Sequence, residues 1–170
     1  MAHGTLLSSS QCPSTKAELD KMKDIPYAST TGSIMYAMNY TRPDLAYAMS
    51  MVSKFQQNPW ENHWRVVKNF LMYLRRTKDL FLVYGGVEDR LSVKCYTDAS
   101  FTTDRDDCMS QSGYVLIING DAVSWESSKQ SVVAQSTTES EYIAASKAVQ
   151  EAAWMKKFIG DLGVVPTIQD

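Results

Sequence analysis

Leu91-Ser92-Val93-Lys94-Cys95-Tyr96-Thr97-Asp98-Ala99-Ser100 alternates apolar and polar residues up to a carboxylate. The alternation from Ser92 to Thr97 predicts a strand with Val93, Cys95 and Thr97 on one side. Aspartate is a poor strand former that prefers turns and caps. At the end of an inner strand a lone buried carboxylate is costly, so Asp98 needs a partner or a metal. Gly113 to Ile118 reads as a buried strand, Asn119-Gly120 as a hairpin turn and Ala122 to Trp125 as the returning strand. These runs predict three consecutive antiparallel strands. A helical period then runs from Thr138 to Leu162, with Tyr142, Ala145, Val149, Ala152, Met155 and Ile159 as its packing stripe. Gly163 is placed to end it.

Glu141, in the first turn of that helix, has two readings. Thr138 and Glu141 have the spacing of a capping box, in which the glutamate bonds back to the cap. Alternatively, Glu141 and Asp98 are acids from two elements that converge on a divalent cation. Asp104, Asp106 and Asp107 read as a solvated acidic loop.

Upstream the period is helical. Residues 1–24 read as an irregular lead-in. Tyr27 to Tyr40 reads as a helix, and Thr41-Arg42-Pro43-Asp44 as a stop and restart. The next helix carries Leu45, Ala48, Met49, Val52 and Phe55 on one face and breaks at Asn58-Pro59. A third runs from Trp60 to Arg76, with Trp64, Val67, Leu71 and Leu74 on the arc expected to be buried. Arg65, Lys68, Arg75 and Arg76 fall together on another arc, a cationic row suited to a nucleic-acid backbone or simply to solvent. Gly85-Gly86 marks a boundary. The organisation read from sequence is a lead-in (1–24), a helical segment (25–86) and a strand-and-helix domain (87–170).

The chain has 170 residues, 44% hydrophobic and 21% charged, with a net charge of −2. That suits a globular fold with a core and offers no whole-chain argument for binding nucleic acid. The charge is unevenly spread: residues 1–86 carry a net +4 and residues 87–170 a net −6. A basic half beside an acidic half suits a phosphate-binding surface joined to a carboxylate site. Cys12, Cys95 and Cys108 have no zinc or redox spacing and are read as reduced thiols of an intracellular protein, cytoplasmic or nuclear and not secreted. His3 and His63 are far apart, which argues against zinc and against a serine-hydrolase centre. No stretch approaches a membrane span, and no Gly-rich phosphate loop precedes a helix.

Several short strings then coincide in order and spacing. Tyr27-Ala28-Ser29, Gly32-Ser33-Ile34-Met35-Tyr36, Thr41-Arg42-Pro43-Asp44, His63-Trp64 and Tyr73-Leu74-Arg75-Arg76-Thr77 resemble the stretch after the polymerase palm in the Pol polyprotein of copia-type LTR retrotransposons. Tyr96-Thr97-Asp98-Ala99, Ser112-Gly113-Tyr114, Ser124-Trp125, Ser128-Lys129-Gln130 and Ser136 to Tyr142 resemble the ribonuclease H domain that follows it.

The resemblance implies an α/β (α+β) fold: a helical reverse-transcriptase thumb or connection segment, then a truncated ribonuclease H-like domain of three antiparallel strands and a long helix. It implies a ribonuclease H-type endonuclease that cleaves the RNA strand of an RNA–DNA hybrid with Mg²⁺ or Mn²⁺. Asp98 matches the first catalytic, metal-binding aspartate, and Glu141 the catalytic glutamate before the aromatic position held by Tyr142. Arg65, Lys68, Arg75 and Arg76 would contact the hybrid, and the remainder of the Pol polyprotein is the implied partner. The family's third aspartate and fourth ligand have no match, because Asp170 lacks a preceding apolar strand. The expectation is therefore a fragment inactive by itself. The alternative is a non-catalytic nucleic-acid-binding or interaction module using the basic helix 60–78.

Overall fold

The structure, a computed structural model, describes residues 7–85 and 92–163. The chain divides between Leu82 and Val83 into two compact units. Asp170 and Gly86 lie outside the described residues.

The first unit is helical: α1 (Lys16–Met22), α2 (Tyr27–Thr41), α3 (Ala46–Ser53) and α4 (Glu61–Arg76), with 3₁₀ turns at Ser9–Gln11 and Pro43–Leu45. α1 lies where the sequence suggests an irregular lead-in. Its cause is local: Thr15 accepts from the Glu18 N–H, and the Glu18 carboxylate accepts from the N–H groups of Ser14 and Thr15, a full capping box. The backbone bonds hold the Glu18 carboxyl below its usual range.

The core of this unit gathers Tyr27, Ile34, Leu45, Ala48, Met49, Val52, Phe55, Val66, Val67 and Phe70. The Tyr27 hydroxyl, buried with its ring, donates to the Val52 carbonyl at 2.8 Å. Burial raises its pKa. His63 is fully buried; its Nδ1 accepts from the Trp60 N–H at 2.9 Å, and its ring stacks on Phe55 with centroids 4.0 Å apart. The buried arc of α4 is therefore His63, Val66, Val67 and Phe70, while Trp64 and Leu74 are only partly buried and Leu71 is 41% exposed. The helix is rotated from the expected arc because the His63–Phe55 stack and Phe70 fix which side faces the core.

The second unit is a three-stranded antiparallel sheet in the order β1 (Val93–Ser100), β2 (Gln111–Ile118), β3 (Asp121–Lys129), followed by α5 (Thr137–Asp161). The β2–β3 hairpin turns at Asn119-Gly120, both with positive φ as a type I′ turn requires. The register sets Asp98 opposite Gly113 and Ala99 opposite Ser112. α5 packs on β1 and β2. Its buried residues are Ser140, Ala144 and Ala148, and Gly163 at φ +63 follows its end. The expected stripe fails at two members: Tyr142 is 76% and Val149 66% exposed. The sheet face takes the small residues one or two positions away, which let the helix backbone come close.

Asp104 departs from the solvated-loop expectation. It is buried, its carboxylate accepts from the Asp106 N–H, and Lys129 Nζ lies 3.3 Å away. Lys129 also binds Asp107 at 2.5 Å, and these carboxylates raise its pKa.

Candidate metal and nucleic-acid site

Asp98 lies inside β1, two residues before its end, and is exposed. Among the described residues β1 is an outer strand of the sheet, so the carboxylate keeps its water. The desolvation argument for a partner therefore falls away, and what remains is the placement of the acid. Glu141 is exposed on α5. Among the described residues neither carboxylate has a hydrogen bond or ion pair.

The cap of α5 separates the two glutamates of its first turns. Ser136 is the N-cap and accepts from the Glu139 N–H at 3.1 Å, while the Glu139 carboxylate accepts from the Gln135 N–H at 2.7 Å. The expected box of Thr138 and Glu141 is not formed. The N-cap lies two residues earlier, at Ser136 rather than Thr138, so Glu139 serves the cap and Glu141 is left to solvent.

Side-chain ties fix how α5 lies on the sheet. Cys95 Sγ meets the Ala148 carbonyl at 3.8 Å, and burial raises the thiol's pKa. Gln130 Nε2 donates to Ser112 Oγ at 2.7 Å and to the Ser140 carbonyl at 2.8 Å, and Ser112 pairs with Ala99. From Cys95 to Ala99 the strand rises about 13 Å. From Ala148 back to Ser140 the helix travels about 12 Å. The helix thus runs antiparallel to β1, and its first turns lie by the end of β1 that holds Asp98. Lys147 reaches Glu126 and Ser128 on β3, and Ser124 of β3 donates to Glu151. One flank of α5 therefore faces β3, and the other, which carries Glu141, faces the β1 edge.

The two acids share an end and an edge of the unit but not a face. Alternation along β1 puts Cys95, Thr97 and Ala99 on the face toward α5, where Cys95 meets Ala148 and Thr97 stays exposed, and Lys94, Tyr96 and Asp98 on the opposite face. Oxygen donors of this type suit Mg²⁺ or Mn²⁺. Among the described residues no three His, Cys, Asp or Glu side chains gather as a metal-binding group. The described donor set is thus a pair of separate carboxylates, a partial fit to such an ion.

In the helical unit Arg65, Lys68, Arg75 and Arg76 are all exposed along one arc of α4, with Met72 among them. Arg65 is steadied by Asn62 Oδ1 at 3.0 Å. Sequence reasoning misses what secures this helix. Arg42 forks onto Asp44 at 2.9 and 2.8 Å and donates to Thr77 Oγ1 at 2.7 Å, while the Tyr73 hydroxyl donates to Asp44 at 2.8 Å. Arg42 holds the Asp44 carboxyl below its usual range, and Asp44 raises both Arg42 and Tyr73. The strings 41–44 and 73–77, read separately from sequence, are one latch between the α2–α3 corner and the end of α4.

Fold and site define a mixed α/β chain, helical first, with two solvent-facing acids at one end of its sheet unit. The chain is 46% identical over 158 residues to the retrovirus-related Pol polyprotein from transposon TNT 1-94 of Nicotiana tabacum, covering 93% of this chain and 12% of that protein. It is 36% identical to the corresponding polyprotein from transposon RE2 of Arabidopsis thaliana, over 81% of this chain and 9% of that protein. It is also 44% identical to a secreted RxLR effector protein of Plasmopara viticola, over 79% of this chain and 94% of that protein. The chain belongs to the retrovirus-related Pol polyprotein family of copia-type retrotransposons. No protein-family model matches the chain, and no solved structure matches it. No described helix is long and apolar enough to cross a membrane.

Proposed function

We propose that this chain is a Pol segment whose sheet unit is ribonuclease H-like and acts on the RNA strand of RNA–DNA hybrids. Asp98 and Glu141 are its metal-holding acids, and Mg²⁺ or Mn²⁺ is its cofactor. The observation that carries this reading is the division of labour in α5: Glu139 takes the cap, and Glu141 is left unpaired at the end of the unit that also holds Asp98. A divalent ion bound there would supply an activated water and stabilise the leaving oxygen of a phosphodiester. Arg65, Lys68, Arg75 and Arg76 give the helical unit a cationic surface for backbone phosphates. The described residues supply two separated acids, so the chain by itself holds an ion weakly and cleaves slowly if at all. In an intact element the rest of the polyprotein is its working partner.

Incubation with a labelled RNA–DNA hybrid and Mn²⁺ tests this. The expected result is hybrid binding that weakens with salt and with Arg75→Ala/Arg76→Ala. Any cleavage is lost in both Asp98→Asn and Glu141→Gln. A chain that binds no hybrid at low salt, or cleaves equally well in both variants, refutes the reading. A second reading, a binding module without catalysis, is favoured by the effector relative, a separate protein of which this chain covers 94%. Hybrid binding with no Mn²⁺ binding would select it.

A further inference from the structure

The geometry points to a cleft in the helical unit that takes one unpaired, amine-bearing nucleobase from a single strand whose phosphates run along α4. The inference deepens the role proposed for the cationic surface of that unit and rests on it. The cleft has a volume of about 460 Å³ and lies between the Pro43–Leu45 turn with α3 on one side and the second half of α4 on the other. Its floor is apolar: Leu45, Ala48 and Phe70 are each at most 8% exposed. Met72 stands exposed at the rim, so a flat ring entering the cleft meets carbon and a thioether. Asp44 sets the polar side. A carboxylate offers about four acceptor positions. Here three are taken, by Arg42 Nε, Arg42 Nη2 and the Tyr73 hydroxyl. The position left belongs to a carboxylate that both neighbours fix in place and keep charged. It accepts from an N–H and cannot donate, which favours an exocyclic amine over a carbonyl at that edge of the ring. Asn69, whose amide both donates and accepts, completes the rim.

The cationic row lies beside this cleft. Along α4, Arg65, Asn69, Met72 and Arg76 fall within about 60° of one another. Tyr73 stands on the side of that stripe toward Asp44, and Lys68 and Arg75 stand on the other. Arg76 belongs both to the row and to the rim of the cleft. A strand held by its phosphates on Lys68, Arg75 and Arg76 therefore passes the mouth of the cleft, and a base turned toward α3 enters it. A base paired within a duplex stays in its stack and cannot turn in, so the occupant is an unpaired nucleotide.

Fluorescence anisotropy of the full 170-residue chain with labelled single strands tests this. Oligo-dC, oligo-dT and an abasic strand of equal length carry the same phosphates and differ only in what they offer the cleft. Oligo-dC should bind about tenfold tighter than the abasic strand. It should also bind several-fold tighter than oligo-dT, which has a carbonyl where cytosine has its amine. Asn69→Ala/Met72→Ala should bring oligo-dC down to the level of the abasic strand and leave abasic binding unchanged, whereas Arg76→Ala should weaken all three. Asn69 and Met72 are exposed, so the double variant keeps the fold, which circular dichroism checks. Equal binding of oligo-dC and the abasic strand overturns the proposal and leaves the cationic surface standing. So does equal binding of oligo-dC and oligo-dT, a double variant that binds oligo-dC as the parent chain does, or free deoxycytidine monophosphate that competes at the same concentrations as the strand. A chain that binds none of the three at low salt overturns the cationic surface as well.

Discussion

In the helical unit Tyr27, Met49, Val52, Val67 and Phe70 are at most 3% exposed and lie in one apolar cluster. In the sheet unit the buried apolar residues among those described are Leu116, Ala134, Ala144 and Ala148, three of them alanines. That unit relies on its strand ladder and on polar ties: Gln130 to Ser112 and Ser140, Lys147 to Glu126 and Ser128, Lys129 to Asp107. The contrast separates two strategies. Apolar burial stabilises at about 25 cal/mol per Å² and is not subject to Debye screening. Solvent-facing ion pairs each contribute about 1 kcal/mol or less and are screened. The helical unit relies on apolar burial, and the sheet unit leaves Asp98 and Glu141 exposed to solvent.

The largest test of that contrast is Phe70→Ala, which should destabilise the helical unit by about 3–5 kcal/mol through lost burial and a residual cavity. Leu116→Ala, at the one large buried apolar side chain among the described residues of the sheet unit, should cost about 2–5 kcal/mol. Denaturant unfolding followed by tryptophan fluorescence, with Trp60 and Trp64 reporting one unit and Trp125 and Trp154 the other, checks which unit each variant melts. If both variants melt both units together, stability is not divided as described.

Ser136→Ala should cost about 1 kcal/mol of sheet-unit stability by removing the α5 cap. Glu141→Ala should change stability by less than about 0.5 kcal/mol, because Glu141 makes no contact that the fold uses. Equal losses in the two variants would return Glu141 to a capping role.

The smallest effect expected is a change in pH dependence. Asp44 titrates below its unfolded value because Arg42 and Tyr73 bind its charged form. Its contribution to stability is fully present above the unfolded aspartate pKa of about 3.9 and is lost as pH falls through the depressed folded value. Asp44→Asn should therefore flatten the acid limb of the helical unit's stability curve and leave neutral-pH behaviour more nearly alike in slope. An unchanged acid limb would mean that the latch does not hold the corner.

Local signals were legible in the sequence where the chemistry is local. Asn119-Gly120 demands positive φ at both positions and takes it. Thr15-Lys16-Ala17-Glu18 carries a capping signal in plain view, and its reading as lead-in is the avoidable error. Other features depend on residues distant in the chain. Asp104 is buried because Lys129 arrives from β3. Thr41 to Asp44 and Tyr73 to Thr77 join only through the fold. The packing stripe of α5 goes wrong because periodicity favours large apolar residues, whereas the sheet selected Ser140, Ala144 and Ala148 for close approach. For Asp98, alternation gives a strand and the register gives its neighbour, but its solvation follows from the sheet order.

The central claim is that Asp98 and Glu141, separate carboxylates at one end of the sheet unit, both contribute to divalent-ion binding there. Mn²⁺ titrated into the isotope-labelled chain and followed by paramagnetic broadening of amide resonances tests it most directly. The account predicts selective broadening around residues 97–99 and 140–142 at the same Mn²⁺ concentrations, abolished at both places by either Asp98→Asn or Glu141→Gln. Broadening at one place that survives loss of the other acid, or none at millimolar Mn²⁺, would contradict it.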